Sequence, residues 1–165
     1  LGNPKSLQAS TIKCCNDQRS GLGNDQPSNG RVKPRRGTAD SSLIDDTYNA
    51  NPASLDVAIQ CLAPRTGKRI IVLGDMAELG SHSSDLHRAA GDMIRLAGID
   101  QLLTIGDMAK NPSDAFGLGA SHFHSHDAVI DADRSLLGTD VTCLVKGSRS
   151  AEMENVADAL TETGS

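Results

Sequence analysis

A chain of 165 residues has room for one domain built on a single core. Hydrophobic residues make up 38% of it, and no apolar run approaches the ~20 residues that cross a bilayer, so a membrane span is excluded. Sixteen Lys and Arg against 21 Asp and Glu give a net charge of -5, and aromatics total 2%, which argues against a partner that presents a phosphate backbone or bases for stacking.

The charge is unevenly spread. Residues 1–40 hold seven basic and three acidic side chains, whereas 41–165 hold nine and eighteen, so a composition boundary falls near residue 40. The opening stretch, rich in Gly, Asn, Ser, Gln, Pro and Arg, shows neither a helical nor a strand period, and a loose arm is expected there. It has no basic-then-apolar leader pattern, so secretion is not expected, and a chain starting at Leu1 reads as part of a longer frame. Cys14, Cys15, Cys61 and Cys143 show no CxxC spacing and are too sparse for a disulfide scaffold, which points to a reducing cytoplasm.

From Leu43 onward short apolar runs alternate with helical stripes. Strands are expected at 42–45, 69–73, 101–105, 121–124 and 141–145, and the runs at 70–73 and 141–145 are apolar enough to be covered on both faces. Between them, Leu55, Ala58, Ile59 and Leu62 repeat at i, i+3, i+4, i+7, as do Met153, Val156, Ala157 and Leu160. Leu86, Ala90, Met93, Ile94 and Ala97 nearly follow the same rule, and weaker helices are expected at about 107–115 and 127–137. This alternation predicts an α/β fold with a mostly parallel sheet and helices on both faces.

In such sheets ligands bind beyond the carboxyl ends of the strands. Three polar loops fall there. The first, DDTYNANP (45–52), packs two carboxylates, a phenol and two amides before a helix start. Asn and Asp are ordinary caps at such a place, but capping needs only one of them, and amide plus carboxylate pairs suit a base edge and a ribose diol. The second, GDMAELG (74–80), brings Asp75 and Glu78 between two glycines. The third, KGSRS (146–150), combines Lys146, Ser148 and Arg149 with backbone N–H groups at an expected helix start, a candidate anion site. Its plainer reading is a capped helix with solvated basic residues.

Neither GDMAELG nor Thr66-Gly67-Lys68 supplies a Walker pattern, and Gly117-Leu118-Gly119 lacks the strand and third glycine of a dinucleotide fingerprint. His122, His124 and His126 alternate and could share a face, yet no carboxylate or thiol is spaced to complete a metal site, so no metal ligands are assigned. His82 and His87 are weak general-base candidates, and the Arg35-Arg36 pair reads as a solvated surface.

Gly30-Arg31, LIDDTYNANPASL (43–55), VLGDMAELG (72–80) with His87 after it, and LVKGSRSAEMENV (144–156) together resemble the C-terminal domain of the Mur ligases. The Asn-Ala-Asn-Pro form of the first motif resembles the MurF branch most closely. The resemblance covers roughly residues 30–162. It implies a Rossmann-like lid domain over 41–165, with 1–40 a loose arm or a remnant of the preceding central domain. It also implies a three-domain enzyme of peptidoglycan synthesis, whose substrates are UDP-MurNAc-tripeptide and D-alanyl-D-alanine. ATP activates the tripeptide carboxylate as an acyl phosphate, and the dipeptide amine attacks it to form an amide.

By the same resemblance Arg31 reaches the ATP phosphates, Asp46 lies at the ribose, and Asn49 and Asn51 lie near the nucleotide. Lys146, Ser148 and Arg149 face the acceptor dipeptide or the transferring group, and Asp75 and Glu78 line the substrate cleft. The family's Gly-rich phosphate loop and Mg²⁺ ligands belong to a central ATPase domain that this sequence does not contain. ATP and Mg²⁺ are therefore expected to be held mainly by that domain, and the chain alone is expected to be inactive. The alternative is a free-standing Rossmann-like or receiver-like module in which Asp45 and Asp46 hold Mg²⁺ at a strand end.

Overall fold

The computed structural model describes residues 32–161. Six strands, β1 (Lys33–Arg36), β2 (Ser42–Asp46), β3 (Lys68–Leu73), β4 (Gln101–Ile105), β5 (Ala120–Phe123) and β6 (Val141–Lys146), form one sheet in the order β1-β2-β6-β3-β4-β5. β1 runs antiparallel to β2, and every other pairing is parallel. Five helices connect or follow them: α1 (Pro52–Leu62), α2 (Ser83–Leu96), α3 (Lys110–Phe116), α4 (His126–Arg134) and α5 (Glu154–Leu160).

The side-chain alternation of the strands divides the core into two layers. Ile44, Ile71, Leu73, Leu102 and Leu144 meet Leu55, Ile59 and Leu62 of α1, Ala90 and Ile94 of α2, and Phe116 of α3 on one face. Leu43, Ile70, Val72, Leu103, Cys143 and Val145 meet Val129 and Ile130 of α4 and Val156, Ala157 and Leu160 of α5 on the other. The stripes read from the sequence are the buried stripes of α1 and α5, whereas in α2 Ala90 and Ile94 are buried together with His87 and Gly91, and Leu86, Met93 and Ala97 are half-buried. β6, the central strand, is buried at all six positions.

The chain moves outward from β2 through β3 and β4 to β5, then returns through α4 to insert β6 between β2 and β3. The strands next to β6 are thus followed by helices on the opposite face from α5. Such a reversal opens a crevice at the carboxyl ends of β2, β6 and β3.

Two elements differ from the sequence reading. β1 lies in the aperiodic stretch before residue 40; its KPRR sequence is almost wholly exposed, as an edge strand tolerates, and Pro34 is acceptable on an edge. It is held by long-range contacts that no local period announces: Arg35 pairs with Asp45 (3.3 Å) and Asp158 (2.7 Å) and donates to Thr161 Oγ1 at 3.0 Å. The Arg35 guanidinium is therefore a tie between β1, β2 and α5, not a solvated surface charge. Second, KGSRS does not open a helix. A 3₁₀ turn at Arg149–Ala151 and a left-handed Glu152 intervene, and α5 begins only at Glu154. Residues 1–31, with most of the expected arm, lie outside the described residues.

Candidate functional site

The three polar loops meet at the crevice, two of them joined by one buried ion pair. Register places Asp46 of β2 opposite Lys146 of β6, and Leu73 of β3 on its other side. Lys146 is 1% exposed and Asp46 is 8% exposed. The Lys146 ammonium donates to Asp46 Oδ2 at 2.7 Å and to the Asn49 carbonyl at 2.9 Å, tying the loop after β2 to the end of β6.

Each polar group of DDTYNANP has an internal task. Asp45 accepts from Thr47 Oγ1 at 2.8 Å and faces Arg35. Asn49 Oδ1 accepts from the Ala50 N–H at 2.8 Å. Asn51 is the N-cap of α1: its side chain accepts from the Ser54 N–H at 2.8 Å, the Ser54 hydroxyl accepts the Asn51 N–H in return, and Pro52 opens the first turn. Asn51→Ala should therefore lower stability by about 1 kcal/mol, checked by thermal unfolding. Loss of nucleotide affinity at unchanged stability would refute the capping role. Asp45 faces Arg35 and Asp46 faces Lys146, so each carboxylate has a cationic partner within the chain.

Tyr48 and Arg149 form the exposed rim of the crevice, the guanidinium carbon 5.3 Å from the ring centroid, a cation–π contact across the loops after β2 and β6. Ser148 is buried, its hydroxyl 3.1 Å from that of Ser150. The Ser148 N–H donates to the Asp75 carbonyl at 3.1 Å and the Gly74 N–H to the Lys146 carbonyl at 2.8 Å, so the loops after β3 and β6 are laced together. They approach over Met153, which a Cβ at Gly147 would meet at 2.4 Å and one at Gly74 at 2.8 Å, so a larger residue at either would force Met153 to shift.

Asp75 Oδ1 accepts the Ala109 N–H at 2.7 Å, and Glu78 is exposed with φ at 59°, so the two acids expected at the substrate cleft point to different surroundings. His87 has no exposed surface. Its Nε2 accepts the Met76 N–H at 2.9 Å and its Nδ1–H is donated to the Ser83 carbonyl at 2.8 Å, which makes it an anchor for the loop after β3 and not a general base. Arg31 lies outside the described residues.

The histidine series divides among separate partners. His122 Nδ1 meets Thr104 Oγ1 at 2.8 Å, and burial, then the neighbouring His124, hold this imidazole below its ordinary pKa. His124 stacks edge-on to it at 5.1 Å, and His126 Nε2 donates to the Ala151 carbonyl at 2.9 Å. No group of three His, Cys, Asp or Glu side chains that could hold a metal occurs among the described residues. His124 and His126 instead wall a cavity of about 320 Å³ with Asp75, Asp107 and Ser150, beyond the ends of β4 and β5. Sequence reasoning weighed these histidines only as metal ligands; their place at the end of an expected strand was the signal for a pocket.

Residues 30–149 match the family profile described as Mur ligase, glutamate ligase domain. The UDP-N-acetylmuramoyl-tripeptide--D-alanyl-D-alanine ligase of Escherichia coli K12 is 42% identical over 148 residues, covering 88% of this chain and 32% of that protein. The Haemophilus influenzae ligase of the same name is 34% identical over 170 residues, covering 96% and 37%. A crystal structure of MurF from Acinetobacter baumannii matches with a TM-score of 0.73 at 31% identity, over 85% of this chain and 32% of that one. The fold of MurF from Thermotoga maritima in complex with ADP matches with a TM-score of 0.72 at 23% identity, over 84% and 32%. The chain spans about a third of the length of these relatives. Sheet topology, crevice motifs and relatives agree, and the chain belongs to the Mur ligase family as a C-terminal domain of the MurF type.

Proposed function

We propose that this chain is the lid of an ATP-dependent amide-forming ligase that joins D-alanyl-D-alanine to UDP-MurNAc-tripeptide. The observation that carries the reading is the meeting of the three motif loops at the reversal of the sheet, two tied by the buried Lys146–Asp46 pair and the third by backbone hydrogen bonds to the loop after β6. Nucleotide-side and acceptor-side loops are thereby one rigid unit, as a domain that closes over two substrates needs.

In this reading the 45–51 loop, with Asp46, Asn49 and Asn51, borders the ATP ribose and base, and Arg31 reaches its phosphates. Lys146 has donated two of its three N–H groups, so its main part is to hold Asp46 and the Asn49 carbonyl in place, with one N–H left for the transferring group. Arg149, exposed at the rim, and Ser148 face the acyl phosphate and its tetrahedral successor, where cationic and N–H donors stabilise developing negative charge. Asp75 and Glu78 border the acceptor. In this reading the Mg²⁺ ligands and the phosphate-binding loop belong to a central ATPase domain. ATP supplies the phosphoryl group that activates the carboxylate. The setting is the cytoplasm.

The test is a full-length ligase carrying this segment. Arg149→Ala should lower kcat/KM for the dipeptide at least tenfold, about 1.4 kcal/mol of transition-state stabilisation, with the KM for ATP little changed. The purified 165-residue chain should show neither ATPase nor ligase turnover. Turnover by the chain alone, or a defect confined to ATP affinity in the variant, would overturn the assignment.

A further inference from the structure

On the opposite face from α1–α3, a buried acid stands apart from the crevice chemistry. Asp133, in the last turn of α4, has no solvent exposure. Its Oδ2 accepts the Cys143 S–H at 3.2 Å, and its Oδ1 has no hydrogen-bond partner among the described residues. Cys143 is itself fully buried, in the apolar layer of Ile70, Val72, Val129 and Val156. A thiol is a weak donor, and an ionised carboxylate stripped of water needs full hydrogen bonding or a cation in contact.

No such cation is in contact. Asp133 makes no ion pair among the described residues, and Lys68, at the start of β3, acts on it only through its field. Arg134, next to it on α4, donates to the Ala159 carbonyl at 2.8 Å. β4, β5 and α5 offer Leu103, Ile105, Phe123, Val156 and Leu160 to this layer, while the α5 carboxylates Glu154 and Asp158 are exposed. Cys143 is thus the polar group that faces the carboxyl.

We propose that the burial of the Asp133 carboxyl against β6 is a protonation-controlled latch for α4, closed while the carboxyl carries its proton and loosened when it ionises. A neutral acid is the form that a site with one weak donor and one unpartnered oxygen tolerates. Burial pushes the Asp133 carboxyl up to about 6, against the opposing pull of the Cys143 hydrogen bond and Lys68. Burial, then the Asp133 charge, pushes the Cys143 thiol well above its ordinary value, so it remains the donor.

The sign follows from proton linkage. Between the ordinary 3.8 and about 6 the folded chain keeps a proton that the unfolded chain has lost. The latch's contribution is whole below that window, falls as pH rises through it, and is gone above it. α4 begins at His126, and His124 and His126 wall the cavity beyond β4 and β5, so release of α4 loosens that wall. The latch stands independently of the ligase reading.

The test is denaturant unfolding of the 165-residue chain and its Asp133→Asn variant from pH 4 to 8, with hydrogen exchange of the α4 amides. The amide keeps the shape and an acceptor for Cys143 but cannot ionise. Relative to the parent, the variant's folding equilibrium should gain up to about a hundredfold between pH 4 and 7, the equivalent of two pKa units. Exchange in α4 of the parent, corrected for intrinsic rate, should quicken over the same window, and that of the variant should not. Cys143→Ala, which removes the donor and keeps the acid, should move the window to higher pH and serves alone if Asp133→Asn does not fold. A parent-to-variant difference independent of pH, or a window unmoved by Cys143→Ala, would overturn the latch.

Discussion

Lys146→Met should cost the folded chain about 3–5 kcal/mol, because it leaves Asp46 buried at the crevice with its cationic partner removed. The Asn49 carbonyl loses its 2.9 Å donor in the same step. Most of the loss comes from the stranded carboxylate and not from the pair's own attraction, so Lys146→Met with Asp46→Leu should recover much of it. Denaturant unfolding of the two variants measures both. A loss below about 1 kcal/mol for the single variant would mean that the pair is solvated and that the loop after β2 is held by other contacts.

Gly91→Ala should also destabilise, against helix propensity. In an exposed helix interior the change gains about 1 kcal/mol. Here a Cβ at Gly91 of α2 would lie 2.3 Å from the Pro112 carbonyl oxygen and 2.7 Å from its Cα, backbone atoms of α3 that no rotamer can move aside. Forcing α2 and α3 apart costs about 1–3 kcal/mol, so the net change is a loss, and Gly91→Val should lose more. A rise in melting temperature for Gly91→Ala would show that the two helices part easily.

The fold was legible where periodicity is local. The stripe Leu55, Ala58, Ile59, Leu62 and the run Ile70 to Leu73 carry their own signal, since burial on one side repeats at 3.6 or spares no position. β1 carried none: a polar edge strand held by Arg35 to Asp158, 123 residues away, has no period to read. The site was half legible. The motif loops were identifiable, and their placement at strand ends follows from the alternation, but their internal pairings were not legible. Asn51 also caps α1, Asp46 pairs with Lys146, and His87, weighed as a general base, anchors the loop after β3.

The sequence by itself determined the fold class, the chain order of strands and helices from β2 onward, and the family, because each rests on local pattern or on motifs that need no partner to be recognised. Tertiary structure alone decided that β6 returns to lie between β2 and β3, which side chains the motifs spend on one another, and that Asp133 is sealed against Cys143. The physical reason is that these are pairings between residues distant in the chain, 100 apart for Lys146 and Asp46. An ion pair or a buried acid is defined by what the fold places opposite it and by the water it excludes, and neither is encoded at the residue itself.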